Sequence, residues 1–146
     1  HGVRLFTPMM LEAAKKDPAY EGHIVNTASM AGLLTAPNMG VYNVSKHAVV
    51  GITRCVALEA SPFAVTVNAI CPGFTDTDMV RSAIENIVAK TGKTATQARE
   101  ALADRNPQKQ LVQPEEIAQT VLWLCGPGSA AINGQAIAID GGELAG

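Results

Sequence analysis

Two short β-branched runs, each followed by a segment of helical periodicity, constrain the fold of this chain more than any other feature. The runs span residues 23–28 and 64–71, and neither alternates apolar with polar residues. Strands without that alternation are buried on both faces, which is typical of parallel sheets covered by helices. A third short run spans residues 136–139. The sequence therefore predicts an α/β fold with about three parallel strands and flanking helices.

The helical segments lie around and between these runs. Apolar residues recur at helical spacing over 3–16, 41–60, 79–90, 95–104 and 114–124. Pro18 and Pro62 follow the ends of the first two segments, and Pro114 begins the last one with carboxylates in its first turn. This order is that of a doubly wound sheet, which is built from two halves. Only about one half can be counted here.

Composition excludes several classes of function. Charged residues make up 16% of the chain and the net charge is -2, so no basic surface for nucleic acid is expected. The apolar fraction of 47% argues against disorder, and the apolar runs are too short to cross a membrane. The three cysteines, Cys55, Cys71 and Cys125, lie in apolar segments at spacings that no metal site uses. We expect buried thiols, no metal and a reducing, cytoplasmic compartment.

The strongest candidate site combines Ser29, Tyr42 and Lys46. Tyr42 and Lys46 are four residues apart at the start of a predicted helix, so their side chains share one face. An ammonium beside a phenol favours the phenolate, which suits a general acid or base. Ser29 follows the first strand, at the edge where open α/β sheets bind ligands. A Tyr-x-x-x-Lys pair alone occurs by chance in many helices. With Ser29 upstream and Pro72-Gly73 after the next strand, chance becomes a poor explanation.

These segments, taken in order, closely resemble the short-chain dehydrogenase/reductase family. The resemblance covers essentially the whole chain, and the motifs that carry it are residues 26–32, 42–46, 67–73, 114–117 and 133–142. The resemblance implies a Rossmann-like fold and an oxidoreductase that uses NAD or NADP to interconvert a secondary alcohol and a ketone. It also implies that Tyr42 is the catalytic acid/base, that Lys46 favours its phenolate and binds the nicotinamide ribose, and that Ser29 orients the substrate carbonyl.

The same resemblance assigns further cofactor contacts. Pro72, Gly73, Thr75 and Thr77 match the segment that lines the nicotinamide, together with Tyr42 and Lys46. Family members usually carry Ile or Val at the position of Thr75. The family's glycine-rich loop, its residue that selects NAD or NADP, and a fourth catalytic residue, an asparagine, would all precede His1. We therefore expect residues 1–146 to be the catalytic, C-terminal part of one domain, inactive when isolated.

Two points stay open at this level. Residues 77–113 resemble 3-hydroxyacyl or 3-hydroxybutyrate dehydrogenases, whereas residues 1–50 resemble a general alcohol-oxidising branch, so the small carbonyl or alcohol substrate is undecided. The alternative to an enzyme is a non-catalytic fragment or interaction module. The family commonly assembles as dimers or tetramers through helices matching residues 41–60 and 114–124 and the final strand, which implies a homo-oligomer.

Other polar residues have simpler explanations. Asp76 and Asp78 precede a predicted helix and are expected to cap it. Thr91-Gly92-Lys93-Thr94 resembles the end of a phosphate loop, but Ile87 stands where that loop needs a glycine. The charged stretch from Thr77 to about Gln110 is expected to be a mobile lid.

Overall fold

The computed structural model describes residues 1–145. Its helices and strands follow in the order α1 (Gly2–Lys16), β1 (Gly22–Thr27), α2 (Gly40–Ala60), β2 (Val65–Pro72), α3 (Asp78–Thr91), α4 (Ala95–Ala103), α5 (Pro114–Leu124) and β3 (Ala136–Ile139). Short 3-10 helices span Met30–Gly32 and Ser61–Phe63. Every element predicted from the sequence is present, with bounds shifted by one residue at most.

The three strands form one parallel sheet in the order β1-β2-β3. In its register Ile24 lies opposite Val67, and Ala69 lies opposite Ala136. The central strand β2 is buried from Val65 to Cys71, which explains why its sequence shows no polar alternation. The α/β prediction is confirmed. Since all strands run in the same direction, the segments that follow them meet at one edge of the sheet.

Three apolar clusters form the core, and the third, of Ala28, Val50, Ala69 and Cys71, lies at this edge of the sheet. In the first, the inner face of α2 packs with Val65 and Val67 of β2, and α1 contributes partly buried side chains to it. In the second, α3 and α4 pack on each other around Val80, Ile84 and Ala98. The helices α3 and α4 thus have a small core of their own, beside the sheet rather than within its main core.

The cysteine prediction is right for one residue and wrong for two. Cys71 is fully buried in β2, whereas Cys55 in α2 and Cys125 after α5 are exposed. An apolar neighbourhood in the sequence does not say which face of a helix a residue occupies, and both exposed thiols lie on outward faces. Over residues 1–145 no helix is both long and apolar enough to cross a membrane, and no group of three or more His, Cys, Asp or Glu side chains could hold a metal ion.

Candidate functional site

Ser29 lies in extended backbone just after β1 and begins the 3-10 helix Met30–Gly32. Its Oγ accepts a hydrogen bond of 3.2 Å from the Ala31 N–H. A hydroxyl that accepts this bond can still donate its own hydrogen to a carbonyl oxygen. Ser29 is thus held at the carboxyl edge of the sheet with a donor available for a ligand.

The loop after Ser29 is pressed against α2. A side chain at Gly32 would place a Cβ 2.8 Å from the Lys46 carbonyl oxygen, so only glycine fits there without displacement. The buried Asn43 donates through Nδ2 to the carbonyl oxygens of Ala31, at 3.0 Å, and Leu34, at 2.7 Å. These contacts fix the Ser29 loop on the first two turns of α2.

Tyr42 and Lys46 share one face of those turns, as their spacing predicts. The Lys46 ammonium lies 5.7 Å from the centroid of the Tyr42 ring and donates a 3.1 Å hydrogen bond to the Thr27 carbonyl oxygen at the end of β1. Tyr42 is 37% exposed. The ammonium therefore lies near both a solvent-accessible phenol ring and the end of the strand that leads to Ser29.

The structure thus brings the three predicted catalytic residues to neighbouring elements at one edge of the sheet. Within the described residues, the hydroxyls of Ser29 and Tyr42 are not hydrogen-bonded to each other. Their catalytic roles stay predictions.

Pro72 ends β2 at the same edge, and Gly73 follows it. The Gly73 N–H donates to the Ile139 carbonyl oxygen at 3.0 Å, and a Cβ at Gly73 would lie 3.0 Å from the backbone of Asp140. The turn after β2 thus lies directly against the turn after β3, and a side chain at Gly73 would have to displace Asp140.

Thr75 and Thr77 shape the segment that follows. The Thr75 hydroxyl donates to the Gly73 carbonyl oxygen at 3.1 Å, and the Thr77 hydroxyl donates to the Thr75 carbonyl oxygen at 3.2 Å. The backbone of this segment is also paired with Val112 in a short parallel bridge. Both hydroxyls are therefore engaged in holding the local backbone.

The capping prediction for Asp76 and Asp78 is wrong. Thr77 occupies the N-cap position of α3 and makes no side-chain capping bond. Asp76 instead forms an ion pair of 2.7 Å with Arg99 of α4, and hydrogen bonding to that guanidinium lowers the pKa of the Asp76 carboxyl. Asp78 lies in the first turn of α3 and pairs with Arg81 at 3.3 Å. Arg99 reaches Asp76 because α4 folds back toward the end of β2. The local sequence does not reveal this contact.

The sequence analysis missed the structural role of the Asp140-Gly141-Gly142 turn. The Asp140 carboxylate accepts the backbone N–H groups of Gly142, at 2.9 Å, and Leu144, at 3.0 Å. A cleft of about 310 Å³ lies beside this turn, lined by Asn106, Glu116 and Asp140 among other residues. This cleft belongs to the end of β3, and Ser29, Tyr42 and Lys46 are not among its lining residues.

Known proteins resemble the chain along nearly its whole length. A family model described as enoyl-(acyl carrier protein) reductase matches residues 2–143. The D-beta-hydroxybutyrate dehydrogenase of Cupriavidus necator is 35% identical over 146 residues, which is 99% of this chain and 54% of that protein. The protein of the same name from Rhizobium meliloti is 37% identical over 125 residues, 85% of this chain and 48% of that protein. The chain thus spans about half the length of these relatives.

Solved structures agree with the fold. Levodione reductase matches with a TM-score of 0.87 and 31% identity, covering 99% of this chain and 52% of that one. A variant of actinorhodin polyketide ketoreductase with NADPH matches with a TM-score of 0.82 and 37% identity, covering 92% and 49%. The 3-ketoacyl-(acyl-carrier-protein) reductase of Brucella melitensis complexed with NADH matches with a TM-score of 0.79 and 27% identity, covering 97% and 51%.

Proposed function

Because the chain belongs to the short-chain dehydrogenase/reductase family, we propose that it forms the catalytic half of an NAD(P)-dependent oxidoreductase. The reaction is the interconversion of a secondary alcohol and a ketone by hydride transfer. One observation carries the proposal: the Lys46 ammonium lies near the Tyr42 ring and is bonded to the end of β1, beside the loop that carries Ser29. That arrangement suits proton transfer to a carbonyl oxygen.

Each of the three side chains has a separate task. In ketone reduction the Ser29 hydroxyl donates a hydrogen bond to the carbonyl oxygen and so orients it. The Tyr42 hydroxyl transfers its proton to the same oxygen, and the Lys46 ammonium stabilises the phenolate that remains. In alcohol oxidation the phenolate accepts the proton instead. The nicotinamide, when bound, supplies or accepts the hydride at the carbonyl carbon.

The residues at this edge fit a nicotinamide nucleoside. An ammonium has three N–H donors, and Lys46 uses one of them on Thr27, which leaves two for ribose hydroxyls. We assign the lining of the nicotinamide to Tyr42 and to Pro72, Gly73, Thr75 and Thr77, whose backbone is fixed against the end of β3 and Val112. One solved relative holds NADPH and another holds NADH, which supports the cofactor class.

A 3-oxoacyl or 3-hydroxybutyrate type of substrate fits the comparisons best. Relatives named D-beta-hydroxybutyrate dehydrogenase are 35% and 37% identical to this chain. Structural neighbours are named as ketoreductases or ketoacyl reductases. The beta-hydroxybutyrate and 3-ketoacyl names share a carbonyl or hydroxyl group on the third carbon of an acyl chain.

We further propose that the 146 residues alone do not turn over substrate. Among the described residues, no strand leads through a glycine-rich loop directly into a helix, which is the arrangement that binds a pyrophosphate.

Exposed apolar side chains on α2, with Val41 at 89% and Leu58 at 80%, support self-association of the protein. Sedimentation velocity on the purified protein measures that association, and a monomer at micromolar concentration contradicts it.

The test of the proposed reaction is Tyr42→Phe in the full-length protein that contains this chain. Loss of the acid/base lowers kcat by about 10²- to 10⁴-fold, while the dissociation constant of the nicotinamide cofactor stays near its wild-type value. The matched control is Tyr20→Phe, because Tyr20 packs on the core cluster around Val65 and keeps that packing without its hydroxyl. Wild-type turnover in Tyr42→Phe contradicts the assignment. Absence of NAD(H) and NADP(H) binding to the wild-type protein contradicts the proposed function itself.

A further inference from the structure

Asn43 is buried in a part of α2 that is otherwise exposed. Its relative exposure is 5%, whereas its neighbours Val41 and Val44 are 89% and 71% exposed. A buried amide is costly unless its polar atoms are hydrogen-bonded. Here Nδ2 donates to two main-chain carbonyl oxygens, those of Ala31 and Leu34. Its Oδ1 is buried without a hydrogen-bond partner in the described part of the chain, so these two bonds offset only part of the cost of burying the amide.

The two partners require an amide at this position. Carbonyl oxygens only accept hydrogen bonds, so the atom that faces both of them must be a nitrogen with two hydrogens. An aspartate has the same shape but would direct an oxygen at two other oxygens. Ala31 and Leu34 lie on either side of Gly32, where an added Cβ would be 2.8 Å from the Lys46 carbonyl oxygen. One side chain thus holds the loop at two points around this tight contact.

Ala31 connects this clamp to Ser29. Its carbonyl oxygen accepts the bond from Asn43 at 3.0 Å, and its N–H donates to the Ser29 Oγ at 3.2 Å. Asn43 also directly follows Tyr42 in the chain. Asn43 thus joins the α2 backbone next to Tyr42 to Ala31, whose N–H donates to the Ser29 hydroxyl.

We propose that Asn43 is a positioning residue that sets the geometry between Ser29 and Tyr42 by fixing the Ser29 loop to α2. The inference rests on the proposed function, because in the proposed reaction both hydroxyls act on the same carbonyl oxygen. Ser29 and Tyr42 belong to different elements, and the contacts between the Ser29 loop and α2 are among those that decide their separation. Misplacement of a reacting group by about 1 Å can lower a rate by about 10²-fold.

The experiment is a double-mutant cycle of Asn43→Ala and Ser29→Ala in the full-length protein. Asn43→Ala lowers kcat by about 10- to 100-fold with little change in cofactor dissociation constant. If Asn43 acts through Ser29, adding Asn43→Ala to Ser29→Ala lowers kcat little further. Amide hydrogen exchange is the readout independent of turnover: the amides of residues 32–34 exchange faster in Asn43→Ala than in wild type.

The matched control is Asn26→Ala. Asn26 also reaches α2 from the β1 side, through a 2.9 Å bond from its Nδ2 to the Thr53 hydroxyl, and not through the Ala31 or Leu34 carbonyl oxygen. This variant is expected to lose stability while it keeps kcat and the exchange rates of residues 32–34. Where Asn43→Ala does not fold, Asn43→Ser, which keeps a donor hydroxyl, takes its place in the cycle.

The outcomes separate the two proposals. A wild-type protein that binds no nicotinamide cofactor and turns over no carbonyl substrate contradicts the proposed function, and with it the positioning role of Asn43. An active wild type in which the losses from Asn43→Ala and Ser29→Ala multiply overturns the positioning role alone. Unchanged exchange of residues 32–34 in Asn43→Ala overturns it as well, since the loop is then held without the amide.

Discussion

Gly32 tests the packing of the Ser29 loop most directly. A Cβ added there would lie 2.8 Å from the Lys46 carbonyl oxygen and 3.2 Å from a methyl group of Val50. Ordinary contacts begin at 3.4 Å, so the loop must retreat by about 0.6 Å. The Lys46 carbonyl belongs to the backbone of α2, which cannot turn aside as a flexible side chain can.

The expected cost of Gly32→Ala follows from this contact. Overpacking of a buried site costs about 1–3 kcal/mol in free energy of unfolding. The same retreat moves the loop that carries Ser29 away from Tyr42, so we expect kcat to fall by about 10-fold or more, toward the ~10²-fold loss typical of a 1 Å misplacement. Denaturant unfolding measures the first effect, and steady-state kinetics on the full-length protein measures the second.

Gly51→Ala is the matched control, since it makes the same chemical change in the middle of α2. A Cβ at Gly51 meets nothing within 4 Å. Alanine in an exposed helix interior is more favourable than glycine by about 1 kcal/mol, so this variant gains stability. The two substitutions should therefore have opposite signs. A Gly32→Ala protein as stable and as active as Gly51→Ala would refute the close-packing argument.

Three further predictions concern charge, burial and mobility. The Arg99 guanidinium lowers the pKa of the Asp76 carboxyl. The ion pair therefore stabilises the fold above about pH 4, and this stabilisation is lost as the pH falls through the lowered pKa. The difference in free energy of unfolding between wild type and Asp76→Asn should shrink on acidification, and a difference that grows would contradict the pair. Burial raises the pKa of the Cys71 thiol, so a thiol reagent at neutral pH should modify it far more slowly than the two exposed cysteines; equal rates, measured by mass spectrometry, would contradict its burial. Amides of residues 77–110 should exchange faster than those of residues 65–70 without ligand, and equal protection would count against a lid.

The elements of the fold could be predicted from the sequence because their signals are local. The buried strand β2 shows an unbroken apolar pattern, and α2 shows its apolar residues at helical spacing with Pro62 after its end. The shared face of Tyr42 and Lys46 follows from a four-residue separation on any helix. Each of these features depends on residues close together in the chain, so local geometry is enough to place them.

Contacts between distant residues were decided only by the tertiary structure. Asp76 was expected to cap α3, but it pairs with Arg99, 23 residues later, because α4 folds back toward the end of β2. The bonds of Asn43 to the carbonyl oxygens of Ala31 and Leu34 likewise join residues that lie 12 and 9 positions apart. The sequence by itself determined which helices and strands form and which side chains lie at the carboxyl edge of the sheet. Only the tertiary structure decided how the loop after β1 packs on α2 and how α4 lies beside the end of β2, because the position of one element on another is the sum of many contacts that no short stretch of sequence contains.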